Sequence, residues 1–194
     1  EAGLRTQDKS QPFPEEINRR MVSLMADLHF AATESAQENL LAEGIPANSI
    51  LVTGNPVIDA LQSMLRQPAP PDIARMASGQ RKLILVTAHR RENFGRPLEN
   101  ICAALRTIVA RYAGQVHIVY PVHENPHVRE PVRGLLAGCP DITLLPPLDY
   151  LSLVHLANYS YVIVTDSGGL QEEGPRLGKP VLVMRTVTAR PATV

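Results

Sequence analysis

The sequence predicts an α/β protein built on parallel sheets, and three observations carry that expectation. Short β-rich apolar runs alternate with segments of helical period. Five such runs in the later part of the chain are separated by four helical segments, the pattern of a doubly wound nucleotide-binding unit. The residues just past the strand ends are unusually polar, and loops there are where such folds carry chemistry.

In chain order, the first part reads as a helix over 14–28, a small strand over 29–32, a helix over 34–43 and a strand over 50–53. This is the tail of one α/β unit. Gly54-Asn55-Pro56 then breaks the pattern, and a proline-rich stretch from Pro68 to Pro71 follows. The expected domain boundary lies near residue 58, giving domains 1–58 and 59–194, and a ligand cleft between the two is the expected place for a site. The second domain has strands at 82–87, 116–120, 142–145, 161–165 and 180–184, with helices at 97–112, 126–136, 150–158 and 170–177. Pro97 and Pro126 fall near first turns, where a missing N–H costs nothing, and Gly178 stands as a C-terminal stop.

Composition excludes several classes. The chain has 194 residues, 44% hydrophobic and 20% charged, enough for one or two packed units. Lys+Arg and Asp+Glu both number 19, so no basic excess points to nucleic acid or an anionic membrane surface. Cys102 and Cys139 are far apart and form no Cys-x-x-Cys, as expected of a reduced cytoplasmic protein with no metal site. No run is long enough to span a bilayer, and no secretory leader stands at the start. The first residue is not Met and no closing helix follows Arg190, so the chain is expected to be the middle of a longer protein and inactive by itself.

The most specific local motif is Thr165-Asp166-Ser167-Gly168-Gly169-Leu170-Gln171-Glu172-Glu173, which follows a strand and opens a helix. The free N–H groups of a first helical turn and the positive end of the helix dipole favour a phosphate, and two glycines let the backbone approach it. Glu173, six residues past Ser167, is placed to accept hydrogen bonds from ribose hydroxyls. The plain alternative is a helix-capping serine in an ordinary turn.

Two further strand exits are polar. Ala88-His89-Arg90-Arg91-Glu92-Asn93-Phe94-Gly95 joins an imidazole to two guanidinium groups suited to phosphate oxygens; its alternative is surface ion pairing of the arginines with Glu92 and Glu99. Pro121-Val122-His123-Glu124-Asn125-Pro126 brings a second imidazole to the same sheet edge. In the first domain, Pro12-Phe13-Pro14-Glu15-Glu16 sets two carboxylates at a helix start, where compensation of the helix dipole competes with catalysis. If Glu1 and Glu15 converge, they form an acid and base pair for the two faces of a sugar.

These motifs, with Glu1-Ala2-Gly3-Leu4-Arg5-Thr6 and Thr53-Gly54-Asn55, resemble the bacterial non-hydrolysing UDP-N-acetylglucosamine 2-epimerases over nearly the whole chain. The resemblance implies a GT-B fold of two Rossmann-like domains, with this chain covering the end of the first and most of the second. It implies interconversion of UDP-N-acetylglucosamine and UDP-N-acetylmannosamine through a 2-acetamidoglucal, without metal or NAD, in a cytoplasmic homodimer. Glu1, Glu15 and His89 match catalytic positions. His89, Ser167, Gly168, Gly169 and Glu173 match positions that bind UDP. Glu15, Arg90 and His123 match positions that contact a second UDP-N-acetylglucosamine, an allosteric activator. The segment 185–192 departs from the family pattern in having Thr186 and Ala192 where acidic residues are usual. The competing expectations are a hydrolysing 2-epimerase, a GT-B glycosyltransferase and a non-catalytic UDP-sugar-binding remnant.

Overall fold

The computed structural model describes residues 1–190, which form two compact units. The first comprises Glu1–Asp59 and the described residues from Arg185 onward; the second is Ala60–Met184.

In the first unit, α1 (Glu15–Met25) precedes β1 (His29–Ala31), α2 (Glu34–Ala42) and β2 (Ile50–Val52). The strands pair in parallel, His29 opposite Ile50 and Ala31 opposite Val52. Thr33 caps α2, its hydroxyl accepting from the Ala36 N–H at 3.2 Å. Leu4, Ala31, Ala36, Leu40, Ile50 and Ala189 form the core. Ala189 explains why the segment after Met184 groups with this unit, whereas the sequence reading carried the second domain through it to residue 194. Of the family departures noted there, Ala192 lies outside the described residues. Arg5, buried, holds the unit from within: its guanidinium meets both Glu43 oxygens at 2.8 Å and Ser23 Oγ at 3.0 Å.

The second unit begins with α3 (Pro56–Leu65), which starts in the first, and α4 (Pro71–Ala77). The sequence reading places no helix here, taking Gly54-Asn55-Pro56 as a break and Pro68 to Pro71 as a proline-rich stretch. Pro56 and Pro71 instead occupy first helical positions, and Leu61 and Ile73 supply buried anchors. There follow β3 (Lys82–Thr87), α5 (Arg96–Arg111), β4 (Val116–Pro121), α6 (Pro126–Leu136), β5 (Ile142–Leu145), α7 (Tyr150–Tyr159), β6 (Val162–Thr165), α8 (Gly168–Arg176) and β7 (Val181–Val183).

The five strands form one parallel sheet in the order β5-β4-β3-β6-β7. Both faces are covered, as a parallel sheet requires. Ile84 and Val86 of β3 face a core closed by Leu98, Cys102, Leu105 and Val109 of α5 and Val128, Val132 and Leu136 of α6. These spacings of three and four put each set on one helical stripe. Leu83 and Leu85, pointing the other way, meet Ile73, Leu156, Ala157 and Leu170. Cys102 and Cys139 are both free. Among the described residues, no helix is long and apolar enough to cross a membrane, and no group of three or more His, Cys, Asp or Glu could hold a metal ion.

Candidate functional site

In the order β5-β4-β3-β6-β7 the chain winds in opposite directions from β3, so the crevice at the carboxyl ends of β3 and β6 is the topological switch point, where doubly wound folds take ligands. The two strands run in register to their last residues, Thr87 opposite Thr165, with the hydroxyls 2.6 Å apart. That register delivers His89 and Ser167, distant in sequence, to one place. The buried Tyr120 hydroxyl on β4 donates to the Ala88 carbonyl at 3.1 Å and fixes the exit of β3.

A cavity of about 200 Å³ opens there, lined among others by Thr87, His89, His123, Leu148, Ser167 and Glu173. Of the sequence-derived candidates, it brings together His89, His123, Ser167 and Glu173, all from the second unit. The helix α8 begins at Gly168, two residues earlier than expected, so Gly168 and Gly169 form its first turn. Ser167 holds the N-cap position, yet its side chain makes no capping hydrogen bond. The capping alternative for this serine is therefore set aside, and its hydroxyl is left to the cavity. A Cβ at Gly169 would lie 3.4 Å from Glu173 Oε2 and 3.9 Å from Ser167 Oγ, so the glycine keeps the space between them open.

His89 and His123 stack, with ring centroids 5.7 Å apart and planes 16° from parallel. Sequence reasoning treated them as contacts of separate ligands; here they share a wall. His123 Nδ1 accepts from the Asn125 N–H at 3.1 Å, which leaves its Nε2 as the protonated nitrogen. His89 titrates below the ordinary histidine value of 6.5. Burial is the main cause; Asp166 and Glu92 oppose it, and the Arg90 and His123 charges add to it.

Glu173 is reached by Tyr150, whose hydroxyl donates to Oε1 at 2.6 Å. Burial pushes the Glu173 carboxyl above the usual range, the Tyr150 hydrogen bond pulls it back, and Glu172 adds to the rise. Tyr150 was missed from sequence. So was Asp166, wholly buried behind His89.

Next to the 89–95 loop, Glu99 pairs with Arg96 at 3.9 Å, one turn along α5. In the first unit, the two adjacent carboxylates of α1 part ways. Glu16 is buried, accepts from the Thr6 N–H at 3.1 Å and pairs with Arg20 at 3.2 Å, which makes it a structural anchor. Glu15 is half-buried. Glu1 pairs with Arg19 at 2.9 Å and Arg190 at 2.6 Å. Burial raises its carboxyl, but the hydrogen bonds and charges of those two guanidinium groups outweigh it and hold Glu1 below the usual range.

Fold and site together define the doubly wound α/β class in which a helix N-terminus meets the ligand at the sheet's switch point. Within that class, the chain belongs to the UDP-N-acetylglucosamine 2-epimerase family, whose model matches residues 1–194. A probable UDP-N-acetylglucosamine 2-epimerase of Ralstonia nicotianae is 55% identical over the whole chain, which covers 54% of that protein. Among solved structures, an S. aureus co-structure with UDP superposes with a TM-score of 0.94 at 48% identity, over 99% of this chain and 52% of that one. The Neisseria meningitidis UDP-GlcNAc 2-epimerase bound to UDP-GlcNAc gives 0.93 at 44% identity, over 100% of this chain and 54% of that one. The chain thus spans about half the length of the relatives it matches. Its α/β architecture with parallel sheets is that of the GT-B UDP-GlcNAc 2-epimerases.

Proposed function

We propose that this chain carries the UDP-binding part of an enzyme that reversibly inverts C2 of UDP-N-acetylglucosamine to give UDP-N-acetylmannosamine. The observation that carries the reading is the switch-point cavity, where the first turn of α8, the uncommitted Ser167 hydroxyl and His89 form a diphosphate seat with Glu173 one and a half turns deeper. Ser167, Gly168, Gly169 and His89 hold the diphosphate, and Glu173 accepts from the ribose hydroxyls. Arg90, His123 and Glu15 are assigned to a second, activating UDP-N-acetylglucosamine.

A proton at C2 of a sugar has no adjacent carbonyl and is too weakly acidic for simple abstraction. The reaction we propose removes it as UDP leaves. The C2–H electrons form a C1=C2 double bond, the C1–O bond breaks toward UDP, and 2-acetamidoglucal and UDP remain bound. The helix terminus stabilises the diphosphate as its negative charge grows. Protonation of C2 on the opposite face and return of UDP oxygen to C1 complete the inversion. Glu1 and Glu15 are assigned the proton transfers on the strength of the motif resemblance; the guanidinium pair keeps Glu1 in the carboxylate form that an acceptor needs, while lowering its basicity. No metal or redox group enters the scheme.

The test is proton NMR of the whole protein incubated with UDP-N-acetylglucosamine. The expected product is UDP-N-acetylmannosamine at equilibrium with substrate. Free N-acetylmannosamine with UDP would identify a hydrolysing enzyme, and no turnover without an added acceptor would point to a glycosyltransferase.

Two binding predictions accompany it. Tyr150→Phe removes the donor to Glu173 Oε1, and UDP affinity falls about fivefold in calorimetric titration, the worth of one hydrogen bond near 1 kcal/mol. An unchanged affinity would show that Tyr150 does not orient the carboxylate. The second concerns pH. Free His89 titrates below 6.5, and an anionic diphosphate beside it raises that value. The protonated site therefore binds more tightly. Affinity for UDP-N-acetylglucosamine rises as pH falls from the bound-state value to the free-state value, and is flat on either side. The sugar nucleotide is the right probe because its diphosphate diester does not titrate in this range. A flat profile between pH 5 and 8 would refute the assignment of His89 to the diphosphate.

A further inference from the structure

Asp166 stands between β6 and α8 with its side chain fully buried, and its two oxygens have different tasks. Oδ2 accepts three hydrogen bonds, from the His89 N–H at 2.9 Å, the Arg90 N–H at 2.8 Å and Asn93 Nδ2 at 2.9 Å. Asn93 Nδ2 also reaches the Met184 carbonyl at 3.2 Å, so the loop after β3 is tied to two neighbouring strand exits. Oδ1 is buried and accepts no aligned hydrogen bond. His89 Nδ1 lies 3.2 Å from it. A buried acceptor left short of its donor is costly, and a small turn of the imidazole supplies that donor.

We propose that Asp166 is the positioning residue of this site: Oδ2 clamps the 89–93 backbone, and Oδ1 holds the His89 imidazole with its proton on Nδ1, leaving Nε2 to meet the diphosphate. The proposal rests on the reading of the cavity as a nucleoside-diphosphate seat. Its consequence is chemical. With Nδ1–H committed to the carboxylate, a neutral His89 presents a lone pair to the incoming anion, and two lone-pair-bearing groups repel. Nε2 must acquire a proton from solvent for the bond to form, so ligand binding draws in a proton and leaves an imidazolium between two anions. Burial of the ring, which keeps it neutral when free, makes that uptake necessary at neutral pH. The charged and titratable groups that face the ring are His123 from the exit of β4, Arg90 and Glu92 from its own loop, and Glu173 across the cavity.

The informative variant is Asp166→Asn in the whole protein. Its amide oxygen can still accept the loop N–H groups, while its Nδ2 donates to His89 Nδ1 and forces the ring proton to Nε2. Such a ring bonds the diphosphate with no proton taken up. Nitrogen-15 NMR of the imidazoles, with the His89 signal assigned by its absence in His89→Gln, should show the Nδ1–H tautomer in the unmodified protein and Nε2–H in Asp166→Asn. Calorimetric titration with UDP-N-acetylglucosamine in two buffers of different ionisation heat should show proton uptake by the unmodified protein and almost none by Asp166→Asn, with affinity about tenfold weaker because a neutral imidazole replaces the imidazolium at the diphosphate. An Nε2–H tautomer in the unmodified protein overturns the proposal, and it does so even if Asp166→Asn fails to fold. Equal proton uptake by both proteins also overturns it. Absence of any UDP-N-acetylglucosamine binding by the unmodified protein, with the Nδ1–H tautomer intact, would instead refute the reading of the cavity and leave the Asp166–His89 arrangement standing.

Discussion

In the whole protein, Glu15→Gln and Glu1→Gln are each expected to lower kcat by about a hundredfold or more, while UDP affinity stays within about twofold of the unmodified protein. The amide has the size of the carboxylate but can neither take up the C2 proton on one face nor deliver one on the other. The neighbouring Glu16 supplies an internal control. It lies in the same first turn of α1, yet it is buried on Thr6 N–H and Arg20. Glu16→Gln should therefore cost roughly 1–3 kcal/mol of stability, the penalty of weakening a buried charge-assisted network, and leave kcat nearly unaltered. Glu1 needs a separate check because Arg19 and Arg190 share its carboxylate. The carboxylate is half exposed, so losing those pairs costs well under 1–2 kcal/mol after solvent screening, and a kcat effect cannot be put down to unfolding. Steady-state kinetics beside thermal unfolding separates the cases. Normal turnover with a lowered melting temperature for Glu15→Gln would return that residue to the role of a first-turn charge.

What the sequence made legible depended on how local the signal was. Asn125-Pro126 was read as a helix start, and in the structure Asn125 Oδ1 accepts from the His127 N–H at 2.9 Å just ahead of α6. Asn55-Pro56 has the same chemistry, Asn55 Oδ1 accepting from the Val57 N–H at 3.1 Å ahead of α3. There the surrounding prolines suggested a break, although proline at a first helical position is neutral. The strand exits bearing His89, His123 and Ser167 were visible because polar residues interrupt apolar runs. Asp166 and Tyr150 carried no such mark. Asp166 acts on a loop 77 residues away, through a register that only the pairing of β3 with β6 creates. Tyr150 reaches Glu173 across 23 residues, from the start of α7 to the interior of α8. The distinction between Glu15 and Glu16 was equally hidden, since it turns on which face of α1 meets Thr6.

The largest stability effect is expected at Gly3, within the motif that also contains Glu1. Its φ of +76° lies in the left-handed region, and a Cβ there would sit 1.9 Å from the carbonyl oxygen of Ala36 in α2. Backbone cannot rotate away as a side-chain tip can. The Gly3 carbonyl also accepts from Asn39 Nδ2 at 2.9 Å, so the loop is pinned against α2 on both counts. Gly3→Ala must push the loop off the helix, breaking that bond and disturbing Leu4 and Ala36 in the core, at a cost on the order of 3 kcal/mol or more. Gly44 is the comparison: φ is +85°, but nothing stands within 4 Å of a Cβ there. Gly44→Ala pays only the backbone term, about 1 kcal/mol. Thermal unfolding of both variants in the whole protein decides the matter. Equal losses would mean that Gly3 serves its φ alone, and the close approach to α2 would be wrong. If Gly3→Ala folds at low temperature, displacement of the loop should also loosen Glu1 from Arg19 and Arg190, and turnover should fall more than the loss of folded protein accounts for.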